Sequence, residues 1–346
     1  NFLDSKGFVE VETPILSSLA GGAAAVPFET HSRTLDEKFY LRIAPELALK
    51  KLVIGGMEKV YEIGKNFRNE GLDATHNPEF TSCEFYCAYA DYKDLMDFTE
   101  ELLHTLVVES VGAPQIQFTE KIQQNNGENE EEEAVYDTKI LDFTPPFNRI
   151  DVWKELGVYV GEAGGSLPLP TELDTEEANL QLQNLFTQHL HLPIPSPATT
   201  PRLIDKLISH FIEPRCTQPT FLYGHPIVMS PLARESEGEG REGLVDRFEL
   251  VVGGRELVNA YSELSDPEEQ RRRFNMQLQD RDKGDQESHG TDETFLQALE
   301  YGLPPTAGWG MGVDRLVMFL TSKEHIRDVL AFPMVKQEKK EEKKEE

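Results

Sequence analysis

The sequence predicts an α+β fold, an antiparallel sheet flanked by helices, rather than a doubly wound parallel sheet. Three observations carry this. Two β-patterned stretches, residues 59–70 and 79–89, follow each other across a single polar loop. A second pair, in DRFELVVGGRELVNAYSEL, reverses at Gly253-Gly254, the composition of a tight primed hairpin turn. The helical patterns are grouped at 91–112 and across 150–220 instead of alternating with strands.

Taken in order, NFLDSKG reads as the end of a helix closed by Gly7, and FVEVETPIL as a strand that stops at Pro14. APELALKKLVIGG is a helix with Pro45 near its first turn and Gly55-Gly56 beyond its end. After the strand pair, DYKDLMDFTEELLHTLVVESVG has helical apolar spacing and a closing glycine. Residues 119–137 contain the run GENEEEE at 127–133 and read as a disordered acidic insertion. About 151–220 is expected to be a mostly helical insertion, with TEEANLQLQNLFTQHL and TPRLIDKLISHFI as its clear helices. TAGWGMGVDRLVMFL reads as strand, Gly-rich turn and helix. Residues 336–346 form a charged low-complexity tail, so 1–335 is expected to be one domain. The chain carries no internal repeat.

Composition narrows the function. With 34 basic and 62 acidic residues the net charge of −28 argues against a general phosphate-gripping surface, so any nucleic-acid contact must be local. Three cysteines make no disulfide framework, which fits a reducing compartment. Cys83 and Cys87 lack a second Cys/His pair at metal-binding spacing and read as small core residues. No apolar run reaches membrane-spanning length.

Some residues call for a chemical explanation. Arg68 and Glu70, two apart on a strand, share a face; Phe80, Ser82, Glu84 and Tyr86 share one on the returning strand. An aromatic beside an arginine and paired carboxylates suits a flat ring stacked on Phe80 with an anion held by the Arg fork. In the second hairpin Val251 is expected opposite Glu256 and Glu249 opposite Val258, which makes Glu249 and Glu256 diagonal neighbours with few cations nearby. Such a pair calls for a cation, and Mg²⁺ with phosphate oxygens is the natural candidate. Asn259, Tyr261 and Glu263 have the opposite parity, so a bulge near residues 257–258 is needed for both sets to meet one pocket. Arg315 falls in the first turn of its helix, where the dipole disfavours a cation unless an anion sits there too.

Together these residues resemble the three signature motifs of the class II aminoacyl-tRNA synthetases, most closely the lysyl-specific branch. FLDSKGFVEVETPIL looks like motif 1, FRNEGLDATHNPEFTSCEFY like motif 2 and GWGMGVDRL like motif 3; GGAAAVPF, RIAPELALKKL and ALEYGLPPTAGWGMG are similar to lysyl-specific blocks. The resemblance implies that Arg68 and Arg315 hold ATP phosphates, with Glu70 and His76 at the nucleotide and Phe80 under adenine. It implies Glu249 and Glu256 as magnesium ligands, and Gly22, Glu46, Glu84, Tyr86, Asn259, Tyr261 and Glu263 as the amino-acid pocket. Aspartyl-type relatives carry a neutral SPQ where this chain has APE, so Glu46 favours a cationic amino acid. Where the family usually has Arg or Lys in GGAAAVPF, this chain has Val26.

The implied activity converts L-lysine and ATP to lysyl-adenylate and pyrophosphate and then transfers lysine to the 3′ end of tRNA(Lys), in an intracellular homodimer, cytoplasmic or mitochondrial. The OB-fold anticodon-binding domain of the family is expected to be absent from this chain, which reads as starting within motif 1. Two other functions share the fold: a paralogue that lysylates an elongation factor, and a non-catalytic synthetase-like subunit, which would have lost the ATP arginines that this sequence keeps.

Overall fold

The structure, a computed structural model, describes residues 1–121 and 136–334. The acidic run at 127–133 and the tail at 336–346 lie outside the described residues.

Helix α1 (Phe2–Ser5) is followed by Gly7 at φ +82° and then by β1 (Val9–Glu10). Three short strands, β2 (Leu16–Ser17), β3 (Glu29–Ser32) and β4 (Glu37–Leu41), make a small antiparallel sheet of their own. Helix α2 (Glu46–Ile54) starts behind Pro45 and ends at Gly55. The long hairpin is β5 (Lys59–Phe67) and β6 (Glu79–Ala88). Helix α3 (Tyr92–Val111) opens on a reciprocal Asp91–Asp94 capping box and closes on a left-handed Gly112. The ribbon β7 (Gln115–Lys121) and β8 (Tyr136–Asp142) takes up both ends of the stretch expected as insertion, so residues 119–121 and 136–137 are strand.

Strand β9 (Asn148–Asp151) leads into α4 (Val152–Glu162), α5 (Glu176–Asn184) and α6 (Thr200–Phe211), and β10 (Thr220–Tyr223) returns to the sheet. Leu203, Ile204, Leu207 and Ile208 form one buried stripe along α6 and pack with Val152, Leu156, Leu182 and Phe186 in a separate core. The second hairpin, β11 (Arg247–Val252) and β12 (Arg255–Ser262), is followed by α7 (Pro267–Asp282) and α8 (Glu293–Glu300). Last come β13 (Thr306–Gly312) and α9 (Val313–Leu320).

Eight strands form one sheet in the order β1-β5-β6-β13-β12-β11-β10-β9. The centre is antiparallel as expected; parallel pairings occur at both edges, β1 with β5 and β9 with β10, so the sheet is mixed. One face packs on α3. Phe85 of β6 stacks on Trp309 of β13 at 4.9 Å, and Trp309 Nε1 donates to Thr99 Oγ1 of α3 at 2.9 Å. Cys83 is buried in this core and Cys87 packs against it. By the two-residue period, Ser82, Glu84 and Tyr86 turn to the other face. There α2, α7 and α8 cover part of the sheet with Leu49, Val53, Phe274 and Phe295.

Candidate active site

The uncovered part of that face is a cavity of about 390 Å³. Strand β6 supplies Phe80, Ser82, Glu84 and Tyr86; β12 supplies Glu256, Asn259 and Tyr261; α2 supplies Glu46 and α9 supplies Arg315. Loops add Gly22 on one side and Arg68, Glu70 and His76 on another. Of the residues singled out in the sequence, Glu249 and Glu263 do not line it.

Two corrections of register follow. Strand β5 ends at Phe67, so Arg68 and Glu70 sit in the loop beyond it rather than on one strand face. The reason is a change of partners: Phe67 N–H donates to Arg42 O, Arg68 N–H to Pro78 O and Asn69 N–H to Val26 O, at 3.0, 2.8 and 2.7 Å. In the second hairpin Val251 opposes Glu256 as expected, but Leu250 opposes Val258 and Glu249 opposes Asn259. Leu257 is the extra residue. That bulge brings Glu256, Asn259 and Tyr261 to one cavity, as their opposite parities required.

The glycines expected in a turn before the last helix belong to strand β13, which runs to Gly312. Gly308, Gly310 and Gly312 stand opposite Tyr86, Glu84 and Ser82 of β6. A Cβ on Gly308 would overlap Glu263 Oε1 and lie 2.5 Å from Tyr86 Cε1; one on Gly310 would be 3.3 Å from Glu84 Cγ. The bare backbone makes room for the protein's own side chains.

One end of the cavity is cationic. The Arg68 guanidinium covers the Phe80 ring, 5.1 Å from its centroid, and its Nε is buried without a hydrogen-bond partner. Arg315, in the first turn of α9, donates from Nη1 to Glu256 O at 2.6 Å and places Nη2 2.9 Å from His76 Nε2. His76 is held in turn by Asp73, 2.8 Å from its Nδ1. Burial works against the Asp73 charge, but the backbone N–H of Thr75 and the neighbouring His76 keep its carboxyl below the ordinary range. Two guanidiniums, one from the loop after β5 and one in the first turn of α9, suit an extended polyphosphate.

Next to them lie the hairpin carboxylates, and here the expectation of few cations is overturned. Glu249 is gripped by Arg247 Nη2, with His225 Nε2 at 3.5 Å. Burial opposes its charge, yet Arg247 and His225 bring the carboxyl down to about 2. Glu256 behaves oppositely: burial and the Glu249 charge push its carboxyl up, and Arg315 Nη1 is 3.9 Å from its Oε2. Among the described residues, no three His, Cys, Asp or Glu side chains gather as a metal cage. Magnesium needs none, because it takes one or two carboxylates and completes its shell with phosphate and water. Glu256, loosely paired and facing the cavity, fits that use; Glu249 stands behind it on the neighbouring strand.

The other end is acidic and buried. Glu46 is 4% exposed and accepts from Tyr261 Oη at 2.7 Å. Gly22, at φ +87°, lets the 20–24 loop lie against it: a Cβ there would be 3.2 Å from Glu46 Cβ. Burial and Glu46 push the Glu84 carboxyl up to about 8 despite a hydrogen bond from Ser82. Glu263 is 3% exposed and sits behind Gly308 rather than on the wall, in contact with Lys50. It does not point into solvent.

Lys50 and Arg247 were missed by sequence reasoning. Both signals were local: Lys50 is four residues after Glu46 on a helix, and Arg247 two before Glu249 on a strand.

These features define a class II tRNA synthetase catalytic domain. The sequence matches the family described as tRNA synthetases class II (D, K and N) over residues 1–336, and the chain belongs to that family. Its similar relatives include the "Probable lysine--tRNA ligase, cytoplasmic" of Encephalitozoon cuniculi, 50% identical over 98% of this chain and 63% of that protein. A "Lysine--tRNA ligase" of Enterococcus faecalis is 45% identical over 97% of this chain and 61% of its own length. One from Thermotoga is 47% identical over 100% of this chain and 62% of its own length. The chain thus spans about three fifths of the curated relatives it matches.

Proposed function

We propose that this chain is the catalytic domain of a lysine–tRNA ligase, with ATP, L-lysine and tRNA(Lys) as substrates. One observation carries the reading: a single cavity has two guanidiniums at one end and the buried Glu46 and half-buried Glu84 at the other, with Glu263 just behind. ATP suits the first end and an amino acid with an extra ammonium the second. The lysine carboxylate attacks the α-phosphorus; its oxygen bonds to phosphorus as the bond to the departing pyrophosphate breaks. The nucleophile is already ionised, so no side chain has to remove a proton. Arg68 and Arg315 orient the phosphates and offset the charge that builds on them. Magnesium held at Glu256, with Glu249 behind, would add positive charge there. The names of the relatives favour tRNA as acceptor over the elongation-factor and non-catalytic alternatives. The test is ATP–pyrophosphate exchange by the full-length protein across the amino acids, then charging of tRNA. Exchange that is indifferent to lysine refutes the proposal.

Glu84 gives this reading a pH signature. Its raised pKa leaves it protonated at neutral pH in the free protein, and an ammonium bound beside it favours the charged form. Lysine binding near pH 7 should therefore release about one proton, and affinity should rise with pH until about 8. Calorimetry in buffers of different ionisation enthalpy measures the release, and Glu84→Gln should abolish it.

We also place the protein inside the cell, in cytoplasm or mitochondrion, as a homodimer. No helix of the described residues is long and apolar enough to cross a membrane. Around the β1 edge, Val9, Leu16 and Ile63 are each more than half exposed, and a second copy would cover them. Sedimentation of the full-length protein should give a dimer; a monomer at micromolar concentration counts against this interface.

A further inference from the structure

Lys50 plays no part in the chemistry above, yet it is among the most buried side chains of the protein, with no exposed surface. Its ammonium lies 2.7 Å from Glu46 Oε1 and in contact with Glu263 Oε2. The rings of Tyr261 and Phe295 flank it at 5.7 and 5.5 Å. The charged groups that face this cluster can be taken element by element. Helix α2 gives Glu46, the end of β12 gives Glu263, and β6 gives Glu84, which acts on Glu263. The phenols of Tyr86 and Tyr261 are held neutral by burial. On α8 and at its start, Asp292 is 4.0 Å from Lys51 and Glu293 pairs with Arg271, so that helix presents Phe295 here. On β5, Glu62 pairs with Arg42.

Burying an ammonium without need is costly, and a space-filling residue at this point would be apolar. Two carboxylates buried this close together would not both stay ionised alone. We propose that Lys50 is a specificity-determining positioning residue, a built-in ammonium that holds Glu46 and Glu263 in place behind the pocket. The inference rests on reading that pocket as the lysine site. Burial pushes the Glu263 carboxyl well up and the Lys50 ammonium beside it opposes that rise, so with two carboxyl groups to one ammonium the head of the pocket has room for one further cation. A ligand with a single side-chain ammonium completes it.

The experiment compares the full-length wild type with Lys50→Met in lysine-dependent pyrophosphate exchange across the neutral to alkaline range. The lysine KM of the variant is expected to be about 50-fold higher near neutrality, with the ATP KM changed less than about twofold. The ratio of the two lysine KM values should shrink as pH rises, because Lys50 favours the ionised Glu263 and its loss matters less once alkali ionises that carboxyl in both proteins, which a purely structural defect would not do. In Lys50→Ala, added methylammonium should restore lysine activation by refilling the site between the two carboxylates. A KM ratio independent of pH, or a wild-type lysine KM in Lys50→Met, overturns the inference. If Lys50→Met does not fold, absence of methylammonium rescue in Lys50→Ala overturns it. A wild type without lysine dependence would instead overturn the pocket reading and the inference with it.

Discussion

Arg68→Ala is expected to lower lysine-dependent pyrophosphate exchange by about 10²–10³-fold while thermal unfolding stays close to wild type. The guanidinium is positioned from two sides. Its backbone N–H is tied to Pro78 O at 2.8 Å, and its planar head lies over Phe80. The buried Nε makes no hydrogen bond within the protein, and the residue lines the cavity. Truncation keeps the backbone bond and removes the charge proposed to meet the phosphate. Its stabilising contact with Phe80 is a cation–π pair of about 1–2 kcal/mol, too little to unfold the domain. Exchange and unfolding measured on one preparation separate the two effects. A variant that kept most of the exchange rate would end the assignment of Arg68 to phosphate binding.

The arginine motif stood out in the sequence because it breaks a local rule: cationic and aromatic side chains are patterned like a hairpin face where a plain polar surface would serve, although Arg68 itself lies in the loop after β5. The bulge at Leu257 was legible for a related reason, since Glu256 and Asn259 could reach one pocket only if the strand slipped by one residue. What the sequence hid were the counter-ions. Lys50 in an amphipathic helix and Arg247 in a strand look like surface charges until burial is known, and burial is a property of the assembled layers. The true end of β5 was hidden too. Arg68 still looks like strand, but the bonds that end the ladder come from residues 26 and 42, far away in sequence. The small β2–β4 sheet has short, exposed strands with no buried alternation to read. Helix α7 has only three buried residues, so no apolar stripe announced it, although Asp266 followed by Pro267 is a helix-start signal.

Gly308→Ala is expected to be the most damaging single-methyl change at the acidic end of the cavity. The added carbon would overlap Glu263 Oε1 and come within 2.5 Å of Tyr86 Cε1. Neither neighbour can retreat cheaply. The Glu263 side chain is fully buried against Lys50, and Tyr86 is 3% exposed. The backbone cannot shift either, because Gly308 is paired with Tyr86 on one side and Tyr261 on the other, in the middle of the sheet. Overpacking of this kind costs about 1–3 kcal/mol of stability, and displacing a buried carboxylate from its ammonium adds to it. The lysine KM should rise by about 100-fold or more, the scale of losing one partner of a buried charge pair. The arginine end is built from β6, α9 and the loop after β5, so the ATP KM should move far less. A variant in which both KM values rise together has lost the sheet rather than the pocket. One with wild-type lysine KM and unchanged unfolding would show that Glu263 and Tyr86 have space that the geometry denies them.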